Sequence, residues 1–367
     1  MIGKRVDLFS FSDSVIFFIN GYLNFSLFLR KESVDMEKQK RSFCWFVVVL
    51  LGFVVVISVM AVPAVYCGNK KEVPGALAAG ISVRPLSLWD AAILGVVEGV
   101  TEYLPVSSTG HLLLTEHILG LAHDPANKRV ANAYAIVIQA GAILAVLGLY
   151  RKRIRQMLLG LIGKDAKGKA LVWNLVTAFL PAVVVGLLLE DVIKGRLFGI
   201  WPVTAAWLAG GIFILFLDKK RPHELSGDGR IGLSIESFGW RQALGIGLMQ
   251  CAALWPGVSR SLATIAGGLL MGAELTAAVE FSFLLGLMTL GAATMYEAYK
   301  NGHMIVASFG LTGPLLGFFC AFVSAWISIK WMVSFLQRRG FALFGWYRIV
   351  LALVVAAVLL SGLGLQS

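Results

Sequence analysis

Long apolar blocks with almost no charged residue constrain this chain more than any other feature. Charged residues make up 14% of the chain, whereas soluble domains average about 25%. A domain of this size cannot bury so many helices that are apolar all round, so the sequence predicts an all-α polytopic membrane protein. Six blocks are long enough, or nearly so, to cross a hydrocarbon layer about 30 Å thick: Cys44–Cys67, Ala133–Tyr150, Val172–Leu189, Trp201–Leu217, Met304–Ile329 and Tyr347–Leu363.

Basic residues give the chain a net charge of +11, and they sit in short clusters between the apolar blocks. Membrane proteins carry such clusters in their cytoplasmic loops, so the charge is not interpreted as a nucleic-acid footprint. The four cysteines show no metal-site spacing and are interpreted as small buried hydrophobes. The basic clusters are Arg151–Arg155 with Lys164–Lys169, Lys219–Arg221, and Arg338–Arg339.

Residues 1–85 differ in character from the rest of the chain. Residues 1–42 form a mixed extension that need not be native, since Met36 begins a more economical protein. Positive charge before an apolar run favours an anchor helix at residues 43–67, although a signal segment fits the same pattern. Residues 68–85 are interpreted as a linker with Gly and Pro, and residues 86–365 as the membrane domain that carries the chemistry.

An internal repeat divides this membrane domain. Trp89 and Trp240 each precede a proline by 16 positions, and a serine lies three positions past each proline. The pattern therefore pairs Ser108 with Ser259. Each copy is followed by a Gly-rich apolar piece and then by a longer spanning block.

The loop charges test this repeat, because every basic cluster should lie on one side of the membrane. They all do so if residues 89–121, and the matching segment from residue 240 onward, each enter the membrane and return to the same side. Repeat one, about residues 86–217, then starts from the opposite face to repeat two, about residues 238–365. The sequence therefore predicts an inverted repeat with two re-entrant helical hairpins. They should meet at a central polar site, because broken helices at membrane depth must be buried or line a wet cavity.

The first hairpin carries carboxylates and candidate nucleophiles. Glu98 and Glu102 are four positions apart, so a helix places them on one face. Carboxylates inside a membrane segment are functional by default, although they could instead be structural partners of basic side chains. A turn with Ser107, Ser108 and His111 follows. Ser107 is a candidate for binding the substrate, although N-capping could be all that it provides. The combination supplies a nucleophile, a base and an acid.

The second hairpin carries residues expected to bind an anion. Its Gly-rich turn opens a helix, whose free backbone N–H groups and dipole suit a phosphate. Arg260 adds a fork of donors that matches phosphate oxygens, and hydroxyls surround it at Ser259, Ser261 and Thr264. The alternative is a snorkelling arginine at the membrane edge. One hairpin thus offers nucleophiles and the other an anion site, which is a layout for phosphoryl transfer.

A mechanism follows as a hypothesis. Arg260 holds a lipid diphosphate, Ser108 attacks the terminal phosphorus, and His111 serves as base or acid; the rival assignment makes His111 the nucleophile. Glu98 and Glu102 orient His111 or hold a divalent cation, Mg²⁺ or Ca²⁺, that bridges the phosphates. No organic cofactor is expected. Four lesser candidates could line the cavity or bond to neighbouring helices: Glu280, Gln139, Gln250 and Asn174.

At the two hairpins the sequence closely resembles the undecaprenyl-diphosphatase family, the bacitracin-resistance type of bacterial membranes. The family hallmarks are Glu-x-x-x-Glu leading into Pro-Val-Ser-Ser-Thr-Gly-His, and a later Pro-Gly-x-Ser-Arg-Ser. They stand here at Glu98–His111 and Pro256–Ser261, and the likeness covers residues 86–365 in order. Leu262 and Met288 depart from the family pattern, which has Gly and often Pro at those positions.

The resemblance implies an enzyme that hydrolyses undecaprenyl diphosphate to undecaprenyl phosphate, which recycles the carrier lipid for peptidoglycan synthesis and confers bacitracin resistance. It implies a multi-pass protein of the bacterial inner membrane whose site opens to the outer face. The expected partners are a polyprenyl diphosphate, the bilayer and a second copy in a homodimer, with no nucleic acid. Seven residues match functional positions of the family: Glu98, Glu102, Ser108, His111, Ser259, Arg260 and Thr264.

Two other classes compete with this interpretation. Inverted repeats with broken helices are transporter architecture, so a polyprenyl-phosphate transporter or flippase is the alternative. Transport needs charged residues but no nucleophile, so the Ser and His content favours an enzyme. A type 2 phosphatidic-acid phosphatase also uses a Ser-x-Gly-His-like turn. That class needs a downstream Ser-Arg-x5-His, and after Arg260 no His occurs until His303.

Overall fold

The computed structural model describes residues 86–121, 125–220, 232–309 and 312–361. The predicted extension, anchor or signal segment and linker, all before residue 86, lie outside the described residues. The described part is helical apart from turns and an isolated bridge between Leu233 and Ala273. Its α-helices are α1 (Leu88–Thr101), α2 (Ser108–Ile118), α3 (Pro125–Leu149), α4 (Arg151–Leu161), α5 (Ala166–Arg196), α6 (Ile200–Lys220), α7 (Trp240–Gln250), α8 (Arg260–Leu270), α9 (Leu275–Phe309), α10 (Thr312–Arg339) and α11 (Ala342–Leu360), with short 3₁₀ segments at Ile235–Ser237 and Cys251–Leu254.

Five of these helices are long and apolar enough to cross a membrane: α5, α6, α9, α10 and α11. The all-α polytopic class is therefore confirmed, and the chain is a multi-pass membrane protein. The predicted block Met304–Ile329 is wrong as a single element, since α9 runs to Phe309 and a new helix begins at Thr312. Hydropathy cannot locate this boundary, because the residues on both sides of it are apolar.

Two pairs of shorter helices form the predicted hairpins. α1 and α2 have 14 and 11 residues, and α7 and α8 have 11 each. At 1.5 Å per residue they extend about 16–21 Å, against a hydrocarbon layer of about 30 Å. The two helices of each pair pack against each other. None of the four can cross the layer alone, which is the geometry of a re-entrant segment.

The helix packing repeats between the first and second halves of the described domain. α1 packs against α10, and its counterpart α7 packs against α5, so each hairpin lies on a long helix of the other half. The contact of α3 with α10 is likewise matched by that of α9 with α5. Glycine permits both hairpin crossings: a Cβ at Gly95 would clash with the backbone of Gly317, and one at Gly247 with the backbone of Ala178.

The first helix of each hairpin begins with a matching cap. Ser87 caps α1 in a capping box with Asp90, in which each side chain accepts the other's backbone N–H. At the start of α7 the backbone N–H of Gly239 donates to the side chain of Gln242 at 3.1 Å. The polar residue three positions past the cap closes the helix start in both cases.

The second helix of each hairpin is capped by a serine with positive φ, 74° at Ser107 and 79° at Ser259. Each serine lies 20 residues past the cap of the preceding helix. The predicted pairing of Ser108 with Ser259 is therefore wrong by one position: Ser107 corresponds to Ser259, and Ser108 to Arg260. The sequence match followed Trp and Pro side chains, whereas the backbone equivalence is set by the caps.

Candidate active site

The turns of the two hairpins meet in the protein interior. Ser261 at the start of α8 donates a hydrogen bond of 2.9 Å to the carbonyl oxygen of Leu104 in the first turn. Arg348 of α11 donates to carbonyl oxygens of both turns, at 3.2 Å from Pro105 and 2.9 Å from Val258. These contacts confirm that the hairpins converge on one polar centre.

Glu102 connects the two hairpins chemically. Its Oε2 accepts a hydrogen bond from the hydroxyl of Ser108, and its Oε1 accepts one from Arg260 at 2.9 Å. The side chains of Arg260 and Glu102 are only 12% and 5% exposed. A carboxylate that accepts a serine hydroxyl can take its proton when the oxygen attacks an electrophile. The predicted nucleophile and the predicted phosphate-binding residue therefore share one carboxylate.

Arg260 is held by two groups besides Glu102. Its Nη1 donates to the carbonyl oxygen of Ser282 at 3.0 Å, and its guanidinium carbon lies 5.4 Å from the ring centre of Tyr103. A Cβ at Gly286 would clash with the guanidinium, so a glycine on α9 makes room for it. An arginine enclosed in this way is not snorkelling to the membrane edge, and that alternative is wrong.

Glu98 lies one helical turn before Glu102 on α1 and interacts with it. Its side chain is buried, and its Oε1 has no hydrogen-bond partner among the described residues. Leaving a buried polar atom unpaired costs about 1–3 kcal/mol, and more for a charged group. This oxygen is therefore a candidate for binding a cation, a proton or the substrate.

His111 is oriented by residues other than the predicted ones. Its Nδ1 lies 2.6 Å from the carbonyl oxygen of Ser107, and its Nε2 lies 2.7 Å from the hydroxyl of Tyr347. The Tyr347 ring stacks on the imidazole, and Trp207 packs edge-on with its ring centre 5.2 Å away. The prediction that the two carboxylates orient His111 is therefore wrong. Because a carbonyl can only accept, Nδ1 carries a proton, and in the neutral ring Nε2 accepts from Tyr347.

The other predicted site hydroxyls have protein partners. Ser107 caps α2 and Ser259 caps α8, each by accepting a backbone N–H, so the N-cap interpretation of Ser107 is confirmed. Ser259 Oγ lies 2.9 Å from Ser261 Oγ, and Thr264 Oγ1 lies 2.6 Å from the hydroxyl of Ser282. Ser261 and Thr264 are fully buried. Their contacts attach the second hairpin to the first hairpin and to α9.

Arg348 was not among the predicted site residues. It is fully buried and donates to backbone carbonyl oxygens of both hairpin turns and of α6. A lone cation inside the apolar block Tyr347–Leu363 is the signal that could have found it, since intramembrane charges are rarely without a role. The five oxygens, at 2.8–3.4 Å, belong to Pro105, Ala206, Trp207, Gly257 and Val258.

Three of the four lesser candidates bond to neighbouring elements, and the fourth does not. Glu280 accepts from Arg153 of α4 at 2.7 Å. Gln139 accepts from Thr294 at 2.9 Å, and Asn174 donates to the carbonyl oxygen of Phe238 at 2.7 Å. Gln250 is buried at the end of α7, and neither atom of its amide has a partner within the described part of the chain. Gln250 is thus the neutral counterpart of the unpaired carboxylate on α1.

The donor set limits how a divalent cation could bind. Within the residues that the structure describes, no three His, Cys, Asp or Glu side chains cluster as metal ligands. Mg²⁺ does not need such a cluster, because it is usually held by one or two carboxylates, several waters and phosphate oxygens of a substrate. The unpaired Oε1 of Glu98 fits that role, whereas both oxygens of Glu102 already accept hydrogen bonds.

Comparison with known proteins gives a consistent result. Residues 91–354 match the model of the family described as bacitracin resistance protein BacA. The chain is 44% identical over 274 residues to undecaprenyl-diphosphatase 2 of Rhodospirillum rubrum, covering 74% of this chain and 95% of that relative. It is 44% identical over 271 residues to the undecaprenyl-diphosphatase of Sorangium cellulosum, covering 73% and 85%. For the undecaprenyl-diphosphatase of Methylococcus capsulatus the identity is 42% over 275 residues, covering 75% and 96%.

Proposed function

Because the chain belongs to the bacitracin resistance protein BacA family, we propose that it hydrolyses undecaprenyl diphosphate to undecaprenyl phosphate and inorganic phosphate. The observation that carries this proposal is the pair of contacts that Glu102 makes, to Ser108 and to Arg260. They bring a nucleophile, a base and a phosphate-binding cation together in a multi-pass membrane protein. The relatives compared above bear the name of this activity. Recycling the carrier lipid would serve peptidoglycan synthesis and confer bacitracin resistance.

In the proposed reaction Ser108 Oγ attacks the terminal phosphorus while Glu102 takes the hydroxyl proton. The bond from that phosphorus to the bridging oxygen breaks, and undecaprenyl phosphate leaves with its electron pair. Arg260 stabilises the charge on the transferring phosphoryl group, which is the largest contribution a protein makes to such a step. Water then attacks the phosphorus of the phosphoserine, and the bond from that phosphorus to Ser108 Oγ breaks. Glu102 returns its proton to Oγ, and inorganic phosphate is released.

We assign His111 to the second step, in which Nε2 takes the proton of the attacking water by way of the Tyr347 hydroxyl that donates to it. The rival assignment, in which His111 is the nucleophile, is disfavoured by its hydrogen bonds. Nδ1 donates to Ser107 and Nε2 accepts from Tyr347, so neither nitrogen has a free lone pair. The hydroxyl of Ser108 contacts a carboxylate that can activate it.

A divalent cation would be held by Glu98 and by phosphate oxygens of the substrate. When bound, it would neutralise charge on the diphosphate. The protein's own part is to present a buried carboxylate oxygen that no described residue occupies. Phosphate release with and without chelator tests this, and a Glu98→Gln variant should lose the response to Mg²⁺ or Ca²⁺.

We further place the protein in the bacterial inner membrane, with the site open to the outer face. The support is the predicted topology, in which all basic clusters share the cytoplasmic side. Labelling of single cysteines by a membrane-impermeant reagent in intact cells and in inverted vesicles tests this orientation. The homodimer stays a prediction, to be measured by light scattering of the purified protein.

Trapping the phosphoenzyme tests the reaction. Purified full-length protein is mixed with long-chain polyprenyl diphosphate and quenched in parallel in acid, in which phosphoserine survives and phosphohistidine does not, and in alkali, in which the reverse holds. Ser108→Ala should release no phosphate and form no phosphoenzyme, whereas the exposed neighbour Thr109, changed to Ala, should behave as wild type. Phosphate found on any residue other than Ser108 would contradict the assignment. A pure flippase would release no phosphate in detergent, which separates the transporter alternative from an enzyme.

A further inference from the structure

A cavity of about 680 Å³ lies between α3, α4, α9 and α10. None of the residues that line it belongs to the hairpin turns or to the candidate active site. Two of the helices come from each half of the domain. The polar side chains that line the cavity are Arg151, Lys152, Arg153, Gln156, Glu280 and Lys330.

Arg153 is already neutralised by two carboxylates. Its Nε lies 2.7 Å from Glu280 and its Nη2 lies 2.6 Å from Glu236. Partial burial alone would raise the pKa of Glu236, but hydrogen bonds and the charge of Arg153 lower the pKa below its usual value. Glu236 is therefore ionised at neutral pH. The positive charge of the cavity comes from its other cations.

Lys330 is a lining cation that belongs to one of the long apolar helices. It lies within the apolar helix Thr312–Arg339, nine residues before its end, or about 13 Å along the axis. Its ammonium lies 5.2 Å from the ring centre of Trp326. No carboxylate of the described residues pairs with it. The helix has 28 residues and is about 42 Å long, against a hydrocarbon layer of about 30 Å, so the exposed Lys330 lies within reach of the membrane surface at the end that carries Arg338 and Arg339.

Arg151 and Lys152 add two further charges at the start of α4, and no described carboxylate pairs with them either. The cavity therefore presents three cations without a paired carboxylate, against the one negative charge that Arg153 leaves over from Glu236 and Glu280. Basic pockets between transmembrane helices bind anionic headgroups. The matching ligand chemistry is a phosphate group.

The surface next to the cavity indicates that this phosphate is carried by a lipid. On α3, Leu144 and Leu147 are 42% and 39% exposed, and on α10, Val323 and Ile327 are 37% and 63% exposed. Leu147 directly precedes the lining residue Gly148, and Ile327 directly follows Trp326. In a bilayer these side chains contact acyl chains, so headgroup charge and tail contacts adjoin.

We propose that this cavity binds the headgroup phosphate of an anionic phospholipid, with Arg151, Lys152 and Lys330 around the phosphate and the tails along the apolar faces of α3 and α10. Such a lipid would join helices of the two halves. The site differs from the candidate active site in position and in ligand, because it takes a phosphodiester that the protein does not hydrolyse.

Lipid retention by the full-length protein tests the proposal. Native mass spectrometry compares phosphatidylglycerol with phosphatidylcholine as probes in mixed nanodiscs, with inorganic phosphate as competitor. Each basic residue near a membrane surface contributes about 1 kcal/mol, so Lys330→Met should weaken phosphatidylglycerol binding about fivefold. The triple variant with Arg151→Gln and Lys152→Gln should weaken it by about 100-fold. The matched control is Lys219→Met, which removes an exposed lysine at the end of α6 and should change nothing.

Three results would overturn the proposal. The triple variant could retain phosphatidylglycerol as the wild type does, or the wild type could hold phosphatidylcholine equally well. Displacement of phosphatidylglycerol by inorganic phosphate at comparable concentration would make the cavity an ion site. Thermal unfolding of each variant without added anionic lipid checks that a loss of binding is not a loss of fold.

Discussion

In the first hairpin the serine with positive φ, Ser107, is followed by Ser108, whereas in the second the equivalent Ser259 is followed by Arg260. Both of these following residues contact Glu102. The same backbone geometry therefore delivers the proposed nucleophile from one side and a cation from the other. Two copies of one scaffold build a site that neither copy contains alone.

The first helices of the two hairpins, α1 and α7, can be compared in the same way. Glu98 and Gln250 each lie 11 positions past the cap of the first helix in their hairpin. Both are buried, and both have polar atoms without a partner in the described parts of the chain. The charged member interacts with Glu102, the residue that contacts Ser108 and Arg260. The hairpins thus share the positions of their functional groups and differ in the charge placed there.

Replacing Arg260 should have the largest effect on activity, because Arg260 is the phosphate-binding residue that the second hairpin is proposed to supply. Arg260→Ala should lower kcat/KM for a long-chain polyprenyl diphosphate by about a thousandfold or more, since it removes a charge that contacts the transferring phosphoryl group. Arg260→Lys should recover part of the loss, because it restores the charge without the planar fork. Arg338→Ala, at an exposed position of α10, is the control. A loss below about tenfold would mean that the second hairpin does not bind the phosphate.

Replacing Arg348 should lower the stability of the protein and leave its KM for the lipid unchanged. It donates to carbonyl oxygens of both turns, so Arg348→Met should leave those oxygens unpaired in the protein interior. We expect a loss of about 3–5 kcal/mol in the free energy of unfolding, the usual cost of breaking a buried charged network. Thermal unfolding in detergent measures it, and the fraction that stays folded should keep its KM for the lipid. A stable variant with a raised KM would instead place Arg348 at the substrate.

Much of the site could be predicted from the sequence, because its residues are polar types confined to two short segments of an apolar chain. Glu98, Glu102, Ser108 and Arg260 do meet at one centre. The register between the hairpins could not be predicted, since the Trp and Pro spacing suggests one offset and the backbone caps another. Ser107 and Ser259 both have a positive φ and both cap a helix, and this shows that they occupy equivalent positions in the two hairpins.

The partners of His111 could not be predicted for a different reason. Tyr347, which contacts Nε2, lies 236 positions further along the chain. No local pattern reports a contact between a hairpin helix and the last helix of the domain. The two carboxylates were predicted as its partners because they are near it in the sequence, but the Glu102 side chain contacts Ser108 and Arg260 instead.

Gln250 should show opposite effects on stability and activity. Gln250→Met keeps the length of the side chain and removes an amide without a described partner, so we expect the free energy of unfolding to rise by about 1 kcal/mol. If the amide is kept for contact with the diphosphate, kcat/KM should fall about tenfold, the usual cost of one such hydrogen bond. Glu98→Gln is the matched variant, because it makes the two hairpins alike at this position. Lower stability with full activity would show that a protein group or water already satisfies the amide.

Replacing the two capping serines should give the smallest effects. Comparing the two variants tests whether either serine does more than cap its helix. Ser107→Gly and Ser259→Gly each lose a capping hydroxyl, which costs a few tenths of a kcal/mol on replacement by glycine. Each also relieves a positive φ, which costs a non-glycine residue about 1 kcal/mol. The two changes leave a net gain of about half a kcal/mol, so thermal unfolding should shift slightly upward in either variant, whereas Ser107→Ala should destabilise by about 1 kcal/mol. Phosphate release should be affected equally little in both glycine variants if the serines act only as caps. A loss of activity in Ser107→Gly alone, with unchanged stability, would show that the Ser107 hydroxyl binds the substrate, as the sequence predicts.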